Sequence, residues 1–161
     1  MRNARLISFV LVLAACVGCD HATKQAAGAL LASGEPIALL GDAIRFQLVS
    51  NPGAFLSLGA ALPETLRLAL FLGLVPALLG AVLLGFALRT GATRADLLAV
   101  ALVIGGGAAN WLDRVAHGGA VTDFVSVGVG VLRTGIFNVA DVAIVAGVLL
   151  LLVSMRTTRG T

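Results

Sequence analysis

The chain has 161 residues, 59% of them hydrophobic and 12% charged, with a mean hydropathy of +1.05. Such a composition excludes a soluble globule and predicts one integral membrane domain over residues 1–161. The net charge of +3 and pI near 9.7 do not point to nucleic acid, because no basic patch carries interleaved aromatics.

A helix needs roughly 20 apolar residues to cross the hydrocarbon core. The first such stretch runs from about residue 6 to 30, interrupted by Asp20-His21-Ala22-Thr23-Lys24. It holds both cysteines, Cys16 and Cys19, which are too few for a disulfide framework or a zinc site and read as small apolar helix residues. It also raises an alternative: Leu13-Ala14-Ala15-Cys16 after a basic start looks like the lipidation box of a bacterial lipoprotein precursor, whose leader is removed at the cysteine. Cleavage there would destroy most of the helix and leave Asp20 and Lys24 at a frayed terminus. The stretch is therefore expected to stay intact.

Residues 31–65 change texture. Ile44, Phe46 and Leu48 alternate with Arg45, Gln47 and Val49, which predicts a small extracytoplasmic β platform. A second helix is expected at about 66–88. From residue 68 it carries no charge, and Pro76 is expected to kink it where a neighbour satisfies the freed carbonyl. The short RTGATR loop leads to a third helix at about 95–113, whose small residues GGGAAN allow close helix approach. In the second outer segment, 114–135, Val125, Val127, Val129 and Val131 alternate with Ser126, Gly128, Gly130 and Leu132. A strand is predicted, ending in a turn at Arg133-Thr134-Gly135. A fourth helix follows at about 136–155. The fold class is thus an all-α polytopic membrane protein with four transmembrane helices and a small extracytoplasmic β platform and loop.

Basic residues set the orientation. Arg2 and Arg5, Arg89 and Arg94, and Arg156 and Arg159 flank the helices on one side, which places both termini in the cytoplasm. Of the eight acidic residues only Asp96 lies on that side. Chemistry is expected at the outer face.

Charge in or beside the membrane demands a partner or a task. Asp20 with Lys24, Asn51 in NPGAF, Asn110 with Asp113 and Arg114 in NWLDR, Asp123, and Asn138 with Asp141 in FNVAD all fall at outer helix ends. Asp20 and Lys24, four apart, share a helix face and can form a local ion pair. Arg114 cannot pair with adjacent Asp113 and is expected to reach another element or a substrate carbonyl, with a purely structural salt bridge as the alternative. Asp123 and Asp141 are the sharpest pair. If they meet in a partly desolvated site, one keeps a proton while the other acts as base, and the dyad can activate water against a peptide carbonyl. A structural or proton-carrying role fits an isolated membrane aspartate equally well. No HExxH and no GxSxG occurs, Ser57 lacks the required glycine, and nothing orients His117 toward Cys16 or Cys19.

Five motifs in order, DHATK, NPGAF, GGAANWLDR, VTDF and FNVAD, resemble the DxxTK, N-x-G-A, GGxxGNxxDR, VVDF and FNxAD segments of the lipoprotein signal peptidases, the signal peptidase II family. The resemblance implies a membrane aspartic endopeptidase that cleaves diacylglyceryl-modified prolipoproteins before the lipid-bearing cysteine. It implies Asp123 and Asp141 as the catalytic dyad. Asp20, Lys24, Asn51, Gly53, Asn110, Asp113, Arg114 and Asn138 would bind substrate or support the site. It further implies a bacterial inner-membrane location, lipid-modified prolipoproteins and membrane lipids as partners, a monomer, no metal or organic cofactor, and inhibition by the cyclic peptide globomycin. The chain departs from the family pattern at Ala109, at Thr122, around Ala54-Phe55, and by one extra residue in HGGAVTD. A proton-coupled transporter is the competing class, although four helices without internal repeats give it little room.

Overall fold

A computed structural model describes residues 2–54 and 58–159. Helix α1 spans Arg2–Leu30. Residues Glu64–Leu88 form one continuous rod made of α2 (Glu64–Leu68), a π-helical stretch (Ala69–Leu74) and α3 (Val75–Leu88). Helix α4 spans Arg94–Ala116 and α5 spans Val139–Arg159. By length and apolar content, Asn3–Leu30, Glu64–Leu88 and Arg94–Ala116 are each able to cross a membrane, and Val139–Met155 is a shorter apolar helix.

The π-helical stretch ends just before Pro76, where the sequence predicts a kink. Proline has no N–H to offer the carbonyl four residues earlier, which is Leu72. The Trp111 indole Nε1–H from α4 donates to that carbonyl at 3.2 Å, so the freed acceptor is satisfied by a neighbouring helix.

Helix α4 is the hub, packed against α1, α3 and α5. Successive helical residues are turned about 100° apart, so three consecutive glycines can face three partners. A Cβ on Gly105 would meet Cys16 of α1 at 2.8 Å, one on Gly106 would meet the Ala140 carbonyl of α5 at 2.5 Å, and one on Gly107 would meet Leu79 of α3 at 2.7 Å. From α5, Gly147 approaches the Ala99 carbonyl in the same way. At its basic end α4 opens with a capping box between Thr93 and Asp96, and Ser154 of α5 donates to Asp96 at 2.7 Å.

Four antiparallel strands, β1 (Ile37–Leu39), β2 (Ile44–Asn51), β3 (Val121–Val129) and β4 (Leu132–Arg133), form a sheet in that order. The strand expected around Ile44, Phe46 and Leu48 is β2, but its exposure does not alternate, because its register against β3 shifts between Phe46 and Val49. Phe46, Leu48, Val125 and Val139 pack on Ala27, Leu31 and Phe124, which seats the sheet on the end of α1 and the start of α5. The turn predicted at Arg133-Thr134-Gly135 lies earlier. The chain reverses at Gly130-Val131, because Gly130 adopts φ +57°, and Leu132 and Arg133 return as β4 paired with Val129 and Gly128.

Candidate active site

The start of α5 is held from three directions. Asn138 caps the helix, its Oδ1 accepting the Asp141 N–H at 2.9 Å while Asp141 Oδ2 accepts the Asn138 N–H at 3.3 Å. This reciprocal capping box fixes the Asp141 carboxylate against its own backbone. From α1, Asp20 Oδ1 accepts the Ala140 N–H at 2.9 Å. Two carboxylates thus occupy the helix N-terminus, where the aligned peptide dipoles favour negative charge.

Strand β3 brings Asp123 to the same place. Its Oδ1 accepts from Asn138 Nδ2 at 2.7 Å and its Oδ2 from Asn51 Nδ2 at 2.8 Å. Asn138 therefore bridges the two aspartates, its side chain on Asp123 and its backbone on Asp141. Asn110 of α4 completes the frame: Nδ2 donates to Asp141 Oδ1 at 2.9 Å, and Oδ1 accepts from Asn138 Nδ2 at 3.0 Å and Lys24 Nζ at 3.3 Å.

Lys24 makes the expected pair with Asp20, at 2.6 Å, and a second with Asp113 at 3.1 Å. Asp113 also accepts the Thr122 N–H at 2.7 Å, which ties the approach to Asp123 down onto α4. Thr122 works here through its backbone, its carbonyl accepting from Asn138, so valine or threonine can occupy the position. Arg114 reaches another element, as expected. It donates to the Gly53 carbonyl at 2.6 Å and lies 4.9 Å from the centre of the Phe71 ring. The Gly53 N–H in turn donates to Asn51 Oδ1 at 2.9 Å, forming a tight turn that orients Asn51.

All ten residues singled out from the sequence have side chains or backbone groups bonded into this one network with Asp123 and Asp141 at its centre, Asp113 through Lys24 and Thr122. Phe55 of the NPGAF motif and Ser57 lie outside the described residues. Cys16 is buried against Gly105 in the middle of the bundle, and about 18 Å of helix separates that level from His117, so the two cannot meet. His117 lies on Asp113 at 2.8 Å. Missed by the sequence was Phe71, which sits in a uniformly apolar run and carries no local signal. Its place on the π-helical stretch turns it toward Arg114.

A cavity of about 400 Å³ is polar at one end, with Asn51, Asn110, Arg114, Asp123 and Asp141. Its other wall is apolar, including Val75, Ile144, Val148 and Leu149. Asp123 is 2% exposed, and burial is the main cause that pushes its pKa up to about 6. The Asn51 hydrogen bond opposes this rise, and the negative charge of Asp141 adds to it. Two buried carboxylates facing one cavity, with Asp123 holding its proton up to about pH 6, can together deliver and remove protons at a bound carbonyl.

The chain is similar in sequence and in fold to known proteins. The sequence model of the family described as signal peptidase (SPase) II matches residues 12–157. The chain is 36% identical over 154 residues to a protein of Rhodococcus jostii (strain RHA1) named lipoprotein signal peptidase, covering 92% of this chain and 72% of that one. It is 36% identical over 141 residues to a protein of the same name from Treponema pallidum (strain Nichols), covering 84% and 75%. A solved structure described as a bacterial membrane enzyme shares the fold, with TM-score 0.77 at 22% identity over 93% of this chain and 88% of that one.

Proposed function

The chain belongs to the signal peptidase II family, a family of bacterial membrane peptidases, and on that premise we propose that it removes signal peptides from diacylglyceryl-modified prolipoproteins by aspartic catalysis. Two buried carboxylates facing one cavity and bridged by Asn138 carry the proposal. Asp123, whose burial favours the protonated form, gives its proton to the scissile carbonyl oxygen. Asp141, held by Asn138 and Asn110 at a helix N-terminus, takes a proton from water, whose oxygen bonds to the carbonyl carbon. The tetrahedral diol collapses as the C–N bond breaks. The proton taken by Asp141 goes to the leaving amine, and Asp123 recovers one from the diol. No metal or organic cofactor enters these steps. The apolar wall of the cavity suits the lipid and the small-residue box of the substrate, and Arg114 holds the Gly53 turn above it.

Under this proposal four helices span the membrane, both termini are cytoplasmic, the sheet is extracytoplasmic, and the monomer is the working unit. The distribution of Arg2, Arg5, Arg89, Arg94, Arg156 and Arg159 supports the orientation. At about 25 Å, Val139–Met155 crosses with its flanking residues or by local thinning of the bilayer.

The test is cleavage of a purified lipidated precursor. Activity should survive Asp96→Asn and vanish in both Asp123→Asn and Asp141→Asn, and full activity in either of the latter would sink the dyad. Mass spectrometry of the mature enzyme should find residues 1–15 retained and Cys16 unmodified.

A further inference from the structure

At the end of the bundle opposite the dyad, α1 and α3 both pack on α4, and a groove of about 650 Å³ lies between them. Its walls are Leu6, Phe9 and Val10 of α1 with Leu83 and Phe86 of α3, and its rim carries Arg5 and Arg89. Both arginines are exposed. Arg5 is exposed and donates at 3.3 Å to the Ala92 carbonyl. Arg89 is 44% exposed and only 3.9 Å from Asp96, a carboxylate that is 1% exposed and already accepts from Ser154 and the Thr93 N–H. Arg94 is exposed at the same end, so Asp96 faces an excess of positive charge.

We propose that this groove binds an anionic phospholipid of the leaflet at the basic end of the bundle. Arg5 and Arg89 hold the phosphate, and an acyl chain lies between Leu6, Val10 and Leu83. The separation of parts matches that ligand: guanidinium groups occur only at the rim, where headgroups lie, and the walls that α1 and α3 contribute below them are hydrocarbon. An apolar groove inside a bilayer is filled by lipid in any case, and the paired arginines select which lipid. Guanidinium is well suited to phosphate because its planar fork can donate two hydrogen bonds at once. The site is separate from the dyad and does not depend on the catalytic proposal.

The full-length protein, delipidated in neutral detergent, would be titrated with phosphatidylglycerol or phosphatidylcholine and its adducts counted by native mass spectrometry. Phosphatidylglycerol should be retained roughly tenfold better. Arg5→Gln with Arg89→Gln should weaken it roughly 25-fold, about fivefold per arginine, whereas Arg94→Gln, outside the groove, should change it less than about twofold. Leu83→Trp fills the apolar part with the charges intact and should also abolish the adduct. Inorganic phosphate should fail to displace the lipid. Equal retention of the two lipids overturns the proposal. So does an unchanged adduct in the double arginine variant or in Leu83→Trp, or displacement by phosphate alone. Unchanged melting temperatures in the variants guard against misfolding.

Discussion

Gly106→Ala tests whether the close approach of α4 and α5 sets the geometry of the dyad. The new methyl carbon would lie 2.5 Å from the Ala140 carbonyl oxygen and 2.9 Å from Ile144 Cγ1. An ordinary C···O contact is about 3.3 Å, so the helices must separate by roughly 0.8 Å. The obstacle is backbone within a helix, which cannot swing aside as a flexible side chain would. Ala140 immediately precedes Asp141, and its N–H is already bonded to Asp20, so the shift falls on the turn that carries Asp141. Overpacking of this kind costs about 1–3 kcal/mol, and displacing a reacting group by nearly 1 Å can cost about a hundredfold in rate. Gly147→Ala provides the comparison, since its methyl meets the Ala99 carbonyl at 2.7 Å and Val103 at 2.8 Å, more than a turn beyond Asp141. Both variants should melt earlier in detergent by comparable amounts. Cleavage of a lipidated precursor should fall roughly 10- to 100-fold in Gly106→Ala and within about threefold in Gly147→Ala. Equal activity losses in the two, or wild-type activity in Gly106→Ala, would refute the link between this contact and the dyad.

The pH profile should carry the signature of Asp123. Its pKa is raised, so its proton is present below about pH 6 and lost above it, and turnover that needs this proton declines as pH rises through that value. Asn51→Leu removes a hydrogen bond that favours the ionised form and should move the declining limb to higher pH; an unmoved limb would show that Asp123 does not control it. Trp111→Phe strands the Leu72 carbonyl and should cost about 1–3 kcal/mol in thermal unfolding. Pro76→Ala restores an N–H for that carbonyl, so the loss should shrink in the double variant, and strict additivity would count against the repair. Arg114→Lys keeps the charge but loses the fork spanning Gly53 and Asn110 and the stack on Phe71. A loss of roughly tenfold or more in cleavage is expected, and lysine at full activity would show that charge alone suffices.

Much of the site was legible because its residues are costly where they occur. Asp20, Lys24, Asn110, Asp123 and Asp141 interrupt or border apolar runs, and only a partner or a task explains them there. The spacing of Asp20 and Lys24 predicted their ion pair, and Pro76 predicted a carbonyl in need of a donor. It did not predict that Trp111 supplies one. Phe71 was hidden because one phenylalanine among leucines gives no periodic or polar signal. The hairpin turn was misplaced by a few residues because the alternation of valine with glycine runs on through Gly130, and only its positive φ marks the reversal. At Leu13-Ala14-Ala15-Cys16 the local pattern resembles a substrate box, yet Cys16 is packed against Gly105 within an unbroken helix.

What the sequence determined by itself is which segments prefer lipid to water and which polar groups must be satisfied at their ends. Both follow from the free energy of transferring single residues and need no knowledge of neighbours. The tertiary structure alone decided who satisfies whom. Asn138 bridges Asp123 and Asp141, Asp20 holds the first turn of α5, and three adjacent glycines admit three helices. Those pairings depend on distances between segments up to 120 residues apart. Such distances are set by how the bundle packs as a whole.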